Sequence, residues 1–196
     1  TIKELDKHAE IMDLMGLPAT PFSKINIHLG GAYGEHDVAM DRFCKAFDRL
    51  GESTKQRLTV ENDDKAGMFS TKMLYNGVHK NIGIPIVFDS HHFTLGPQDQ
   101  DYKSAFYLAR STWGGTKQIC HHSNSRKKYD DPKARPVAHS DYIHEPFISF
   151  GEDVDVVFEA KKKERAVIYY NNFVVGGNHT ENPAWQTANL NSPGMP

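Results

Sequence analysis

The chain has 196 residues, 38% of them hydrophobic and 24% charged, and a formal net charge of -2. That length suits one domain with a core of its own, the near-neutral balance supplies no bulk attraction to nucleic acid, and no run approaches the ~18 apolar residues of a membrane span. Two cysteines, Cys44 and Cys120, are too few for a disulfide framework and fit a reducing, intracellular compartment, whereas 11 histidines are an excess of metal ligands and acid–base groups.

Leu5, Ala9, Met12 and Leu14 put a helix at the start of the chain. No signal peptide is recognisable, and the opening on Thr1, already in helix, raises the expectation that further sequence precedes it. Five runs then have strand character: 24–29, 57–63, 85–90, 118–122 and 154–160, each apolar or β-branched at its start and polar at its end. Between them, His36 to Leu50 has helical spacing, with Gly51 as its expected stop. Asn62, Asp63 and Asp64 are expected to cap a helix running toward Leu74. Tyr102 to Trp113 and Lys162 to Tyr169 are expected to be helical as well. Strands alternating with helices predict βα units and a parallel sheet.

The polar strand ends are His28, Glu61, Asp89, His121 and Glu159, at intervals of 33, 28, 32 and 38 residues. Eight units of about 33 residues approach the ~250 of a (βα)8 TIM barrel. Residues 1–175 therefore read as a partial barrel with five of eight units, strands four to eight, and roughly three units before Thr1. A doubly wound open sheet is the alternative. The barrel is preferred because it converges its strand ends on one point. Residues 176–196, rich in Gly, Asn and Pro, read as a poorly ordered tail.

Taken singly, each polar strand end is as well an ordinary solvated group; their common period is what makes them a set. His28, Glu61, Asp89, His92, His121, His139 and Glu159 are N and O donors without sulfur, which suits Mn²⁺, Zn²⁺ or Fe²⁺, with the carboxylate share leaning toward Mn²⁺. Seven groups exceed one ion's shell and suit two or three ions. His121 and His122 are adjacent, so on a strand they face opposite sides and only one points inward. Cys44 and Cys120 read as core. Arg126, Lys127 and Lys128 follow the fourth strand at the ligand face, where basic side chains hold backbone phosphates.

The strings INIHLGGAYG, RLTVEND, PIVFDSHH, CHHSNSR, HSDYI and VFEAKKKERA, in this order and spacing, resemble the UV damage endonuclease family, from about Leu5 to Ala166. The resemblance implies a (βα)8 barrel of the xylose isomerase and endonuclease IV type, with a divalent metal cluster, generally manganese, at its C-terminal face. It also implies nicking of double-stranded DNA 5′ of ultraviolet photoproducts and some other lesions. Carried over by position, His28, Glu61 (bridging), Asp89, His92, His121, His139 and Glu159 are the metal ligands. Glu61, His92 and Glu159 are the candidates for the catalytic step, and Arg126, Lys127 and Lys128 for DNA binding. Two features depart from the family. Ile119 stands where a lysine usually precedes the H-x-S histidine, and a shifted alignment would make His122 the ligand. The family's early strands, with further histidines and a Gln-Tyr pair that probes the lesion, have no counterpart here. The chain by itself is therefore expected to nick weakly or not at all, with a missing N-terminal part as the partner it needs. A metal-dependent sugar isomerase or epimerase of a related barrel and an inactive fragment are the competing readings. The setting implied is intracellular, with no membrane.

Overall fold

The computed structural model describes residues 1–176; the expected tail lies outside the described residues from residue 177 onward. The elements in chain order are α1 (Ile2–Leu14), β1 (Ile25–Ile27), α2 (His36–Phe47), α3 (Glu52–Arg57), β2 (Leu58–Glu61), α4 (Thr71–Leu74), α5 (Lys80–Ile82), β3 (Ile86–Asp89), α6 (Ser90–Leu95), α7 (Tyr102–Arg110), β4 (Ile119–His122), α8 (Arg126–Tyr129), β5 (Asp155–Phe158) and α9 (Glu164–Tyr169). A π-helical turn, Tyr75–His79, joins α4 to α5, and a second, Tyr170–Val174, continues α9. None of these helices is long and apolar enough to cross a membrane.

The strands form one sheet in the order β1-β2-β3-β4-β5, which follows the chain without a reversal. The first three pairings are parallel. Asp155 N donates to Gln118 O and Glu159 N to His122 O. Both strands advance four residues in the same direction between these bonds, as parallel strands do. The described residues divide into two compact units, Thr1–His121 with Ser149–Val157, and His122–Ile148 with the described residues from Phe158 onward.

In the first unit the register sorts side chains by face. Ile25 pairs with Leu58, Ile27 with Val60, Val60 with Ile86 and Phe88 with Cys120. Paired residues point the same way and alternate along each strand, so these apolar side chains share a face. Against it lie the helices: Phe88 meets Tyr102 and Phe106 edge-on, and Ala105, Phe106 and Ala109 of α7 and Leu74 of α4 are buried. The opposite face takes Asn26, Thr59, Glu61, Asp89 and His121 by the same alternation, with Val87, Ile119 and Trp113 forming a small apolar cluster. In the second unit, Ile143, Ala160 and Ala166 form the core, flanked by Tyr142, Phe158 and Tyr170.

The elements differ from expectation where side chains have another use. The strands are shorter than expected, because polar ends such as Asn62 and Asp63 leave the ladder to bond elsewhere. Helix α2 stops at Phe47, and Gly51 instead caps α3, where Asp6 of α1 accepts from Gly51 N (2.9 Å) and Thr54 Oγ1 (2.7 Å). No helix begins at residues 62–64. Ser70 is the cap, accepting from Met73 N at 3.1 Å, and the helical stretch starts only at Thr71. The last helix starts at Glu164 instead of Lys162. Helices α3, α6 and α8, of four to six residues, are too short for periodicity to reveal.

Candidate metal centre

Three of the predicted ligands end neighbouring strands on one face. Glu61 closes β2, Asp89 closes β3, and His121, which pairs with Asp89, lies next to the end of β4. His28 follows β1. His92 is placed by a capping geometry: Asp89 is the N-cap of α6, and its Oδ1 accepts from His92 N at 2.7 Å. An N-cap aspartate bonds the amide three residues on, so the D-x-x-H spacing brings a carboxylate and an imidazole to one place.

Around Glu61 the contacts converge. His92 Nδ1 is 3.0 Å from Glu61 Oε1 and His121 Nδ1 is 3.3 Å from Glu61 Oε2. The ligand atoms of His28, Glu61 and His92 lie within 4.8 Å of one another, and so do those of Glu61, Asp89 and His121. Glu61 belongs to both groups. The structure thus gathers five of the seven predicted ligands in the first unit. His139 and Glu159 lie in the second, with His139 Nε2 3.7 Å from Glu159 Oε2 and His139 Nδ1 2.8 Å from Ser123 Oγ. His122 turns the other way: its Nε2 meets the Glu145 carbonyl at 2.9 Å, and its ring packs on Phe147 and Phe158. Arg126 pairs with Asp141 (3.2 Å), Lys128 pairs with Glu145 (2.5 Å), and Lys127 is exposed. Surface pairs of this kind contribute little to stability.

Several residues that hold the ligands were not among the candidate site residues, and Asn62 and Asp63 were expected to be helix caps instead. Asn26 donates to Glu61 Oε2 and accepts from Thr59 Oγ1 at 2.9 Å, which fixes the Glu61 carboxylate. Asn62 donates to Asp89 O (3.0 Å) and accepts from Asp89 N (2.9 Å), so its amide extends the β2–β3 ladder by one rung. The Asn62 carbonyl also meets His92 Nδ1 at 3.1 Å. Asp63 Oδ1 is 3.0 Å from His28 Nδ1. Gly96 lies so close that a Cβ there would stand 2.3 Å from the Asp63 carbonyl oxygen. The one local signal was parity, since Asn26 and Thr59 share the face of Glu61. Replacing Asn62 with Ala is expected to orphan two buried backbone groups, at a cost of about 2 kcal/mol or more, and to weaken metal binding ~10–100-fold as a lost outer-shell contact does. Chemical denaturation and metal titration of the variant measure both.

The donor set fits divalent ions. Asp89 Oδ2 is buried without a hydrogen-bond donor, and the oxygen and nitrogen ligands match hard to borderline cations. Without a metal, the groups hold one another's charge. Burial pushes the Glu61 carboxyl up, but hydrogen bonds and charge from His121 and His92 outweigh it and hold it below the usual carboxylate range. Burial raises Asp89 to about 6, with the Glu61 charge adding to it and His92 opposing. Burial alone would lower His92, yet Glu61 and Asp89 raise it to about 9. The Asp63 hydrogen bond raises His28. At neutral pH a metal must therefore displace the His92 proton. Affinity for Mn²⁺ is expected to rise with pH until His92 has lost its proton, near 9, and to level off above, with at least one proton released per binding event at pH 7. Calorimetry in buffers of different ionisation enthalpy counts that proton.

A family model described as UV-endonuclease UvdE matches residues 1–174. A UV DNA damage endonuclease of Bacillus velezensis is 34% identical over 180 residues, covering 85% of this chain and 52% of the relative. One from Nostoc sp. is 34% identical over 175 residues, covering 86% and 50%. The chain thus spans about half the length of the curated relatives it matches. A solved structure titled "Crystal Structure of SacUVDE" superposes with a TM-score of 0.72 at 30% identity, covering 87% of this chain and 57% of that one. With nearly all of its described residues matched in order, the chain belongs to the UV-endonuclease UvdE family.

Proposed function

We propose that the protein is a metal-dependent DNA repair endonuclease that nicks 5′ of ultraviolet photoproducts and related lesions, with Mn²⁺ as its ion. The observation that carries the reading is Glu61 shared between two ligand groups on one sheet face, in a chain of this family. In this reading the sheet is five strands of an eight-stranded TIM barrel of the xylose isomerase and endonuclease IV type; its unreversed strand order supports a barrel over a doubly wound sheet. The protein acts inside the cell, on damaged duplex DNA.

His28, Glu61 and His92 would hold one ion, and Glu61, Asp89 and His121 a second, with the Glu61 carboxylate bridging and offsetting their repulsion. His139 and Glu159 are donors for a further ion. When bound, such ions acidify water near neutral pH and neutralise charge on phosphate oxygens. The chain's own contribution is positional. Asn26 holds the Glu61 carboxylate, Asn62 holds the backbone of Asp89, Asp63 orients the His28 ring, and buried Glu61 keeps its negative charge. Arg126, Lys127 and Lys128 neutralise backbone phosphates and set the register of the strand without reading its sequence.

The test uses a chimera in which residues 1–174 replace the matching stretch of the Bacillus velezensis relative. A folded chimera is expected to nick irradiated duplex with Mn²⁺ and to lose that activity with chelator and with Glu159→Gln. A folded, manganese-loaded chimera that leaves irradiated DNA intact, or that interconverts a sugar instead, contradicts the reading.

A further inference from the structure

The loop after His28 carries the most exposed aromatic side chain of the described residues. Tyr33 is 89% exposed and has φ +51°, a left-handed conformation that costs a bulky L residue free energy. Gly30 (φ +97°) and Gly34 (φ +81°) bracket it. Two glycines would let a loop of this shape form with any small polar residue at its tip, so the loop's geometry does not require a tyrosine there.

The ring rests on its own loop. The ring lies over Gly31: a Cβ at that position would meet Tyr33 Cε2 and Cζ at 2.8 Å. One ring face is thus laid on backbone while the residue stays almost fully accessible. The loop is tied at both ends. It leaves β1 at His28, whose ring is held by Asp63, and it enters α2 at His36, whose Nε2 meets Gly67 O at 3.1 Å and whose ring packs edge-on against the buried Phe69. Arg42 of α2 reaches back to Gly31 O at 3.5 Å, which sets an exposed guanidinium at the same loop. Tyr33 stands five positions after His28, so at most about 18 Å of extended backbone lies between the two residues.

We propose that Tyr33 is a stacking platform for an unpaired nucleobase, with Arg42 taking the adjoining phosphate. This rests on the nucleic-acid reading above and adds a second contact to it. Strained backbone gathers where a side chain must be presented, and a pre-placed aromatic face beside a cation is the chemistry by which proteins hold single strands: stacking takes the base without reading it, and the cation takes the backbone. A lesion that unstacks its neighbours presents such a base at little cost.

The test measures binding of an undamaged 12-mer of deoxythymidine and of the same backbone lacking bases to the purified chain with Mn²⁺. The base-bearing strand is expected to bind more tightly. Tyr33→Ala is expected to lose about 5- to 150-fold for that strand, the range of one base–aromatic stack, and to leave the base-free strand unchanged; Tyr33→Trp retains the affinity. Because the residue is exposed, both variants are expected to melt at or above the parent's temperature. If the parent binds the base-bearing strand and Tyr33→Ala binds it equally well, the platform is wrong while the nucleic-acid reading stands. If the parent binds neither strand, the nucleic-acid reading falls and the platform with it.

Discussion

Replacing Glu61 with Gln is expected to abolish the metal centre while leaving the sheet intact. Gln has the same length, and its amide still reaches Asn26, but it carries no charge and has only one acceptor oxygen. Glu61 is the group shared by both ligand triads, so the substitution removes a donor from each at once. Loss of an outer-shell partner costs ~10–100-fold in metal affinity; loss of a donor shared by both candidate groups is expected to exceed ~100-fold at both positions together. Asp89→Asn, by contrast, should weaken one position more than the other. Titration of Mn²⁺ followed by electron paramagnetic resonance separates the two patterns. Equal affinity in Glu61→Gln and the parent would show that Glu61 does not bridge.

The largest expected effect on stability is at Arg57, far from the ligands. Its side chain is fully buried, and every arm of the guanidinium is used. Nε donates to Ser53 Oγ (3.2 Å), Nη1 to Pro18 O (2.9 Å) and Ser23 O (3.2 Å), and Nη2 to Asp13 Oδ1 (2.5 Å) and Leu17 O (2.6 Å). One residue thereby closes the turn after α1 onto the end of α3, directly before β2. The Arg57→Met variant fills the space but takes the donor from three carbonyls, while Asp13, half exposed, keeps the Ser53 hydroxyl; at about 1 kcal/mol for each lost hydrogen bond the change costs about 3 kcal/mol. For a chain of this size that lowers the melting temperature by roughly 10 °C. Arg57→Lys keeps the charge without the planar fork and is expected to fall between. A melt of Arg57→Met within 2 °C of the parent would show that the network carries little of the stability.

The features legible in the sequence were those with a local period. Runs that open apolar or β-branched and close polar located all five strands to within a few residues, and their polar ends marked the candidate ligands at intervals of 28 to 38 residues. Alternation also left His121 and His122 as alternatives, and the pairing of Asp89 with His121 is what sets His121 beside Glu61. The illegible features depend on groups far apart in the chain. Nothing near Asn62 reveals that its amide will pair with Asp89, 27 residues on, so a cap for a following helix was the simpler expectation. Arg57 reads as the first residue of a strand, yet it ends α3, and apart from Ser53 its partners lie 34 to 44 residues away. Tyr33 reads as a loop residue among glycines, and only the backbone angle distinguishes it.

The manganese content of the unmutated chain tests the central claim most directly. The purified protein is loaded with Mn²⁺, passed through a desalting column at pH 8 and analysed for metal against protein concentration. Two ligand groups sharing one carboxylate predict more than one tightly held equivalent, reduced to less than one in the Glu61→Gln variant. A folded chain that melts cooperatively and retains no divalent ion would contradict the account.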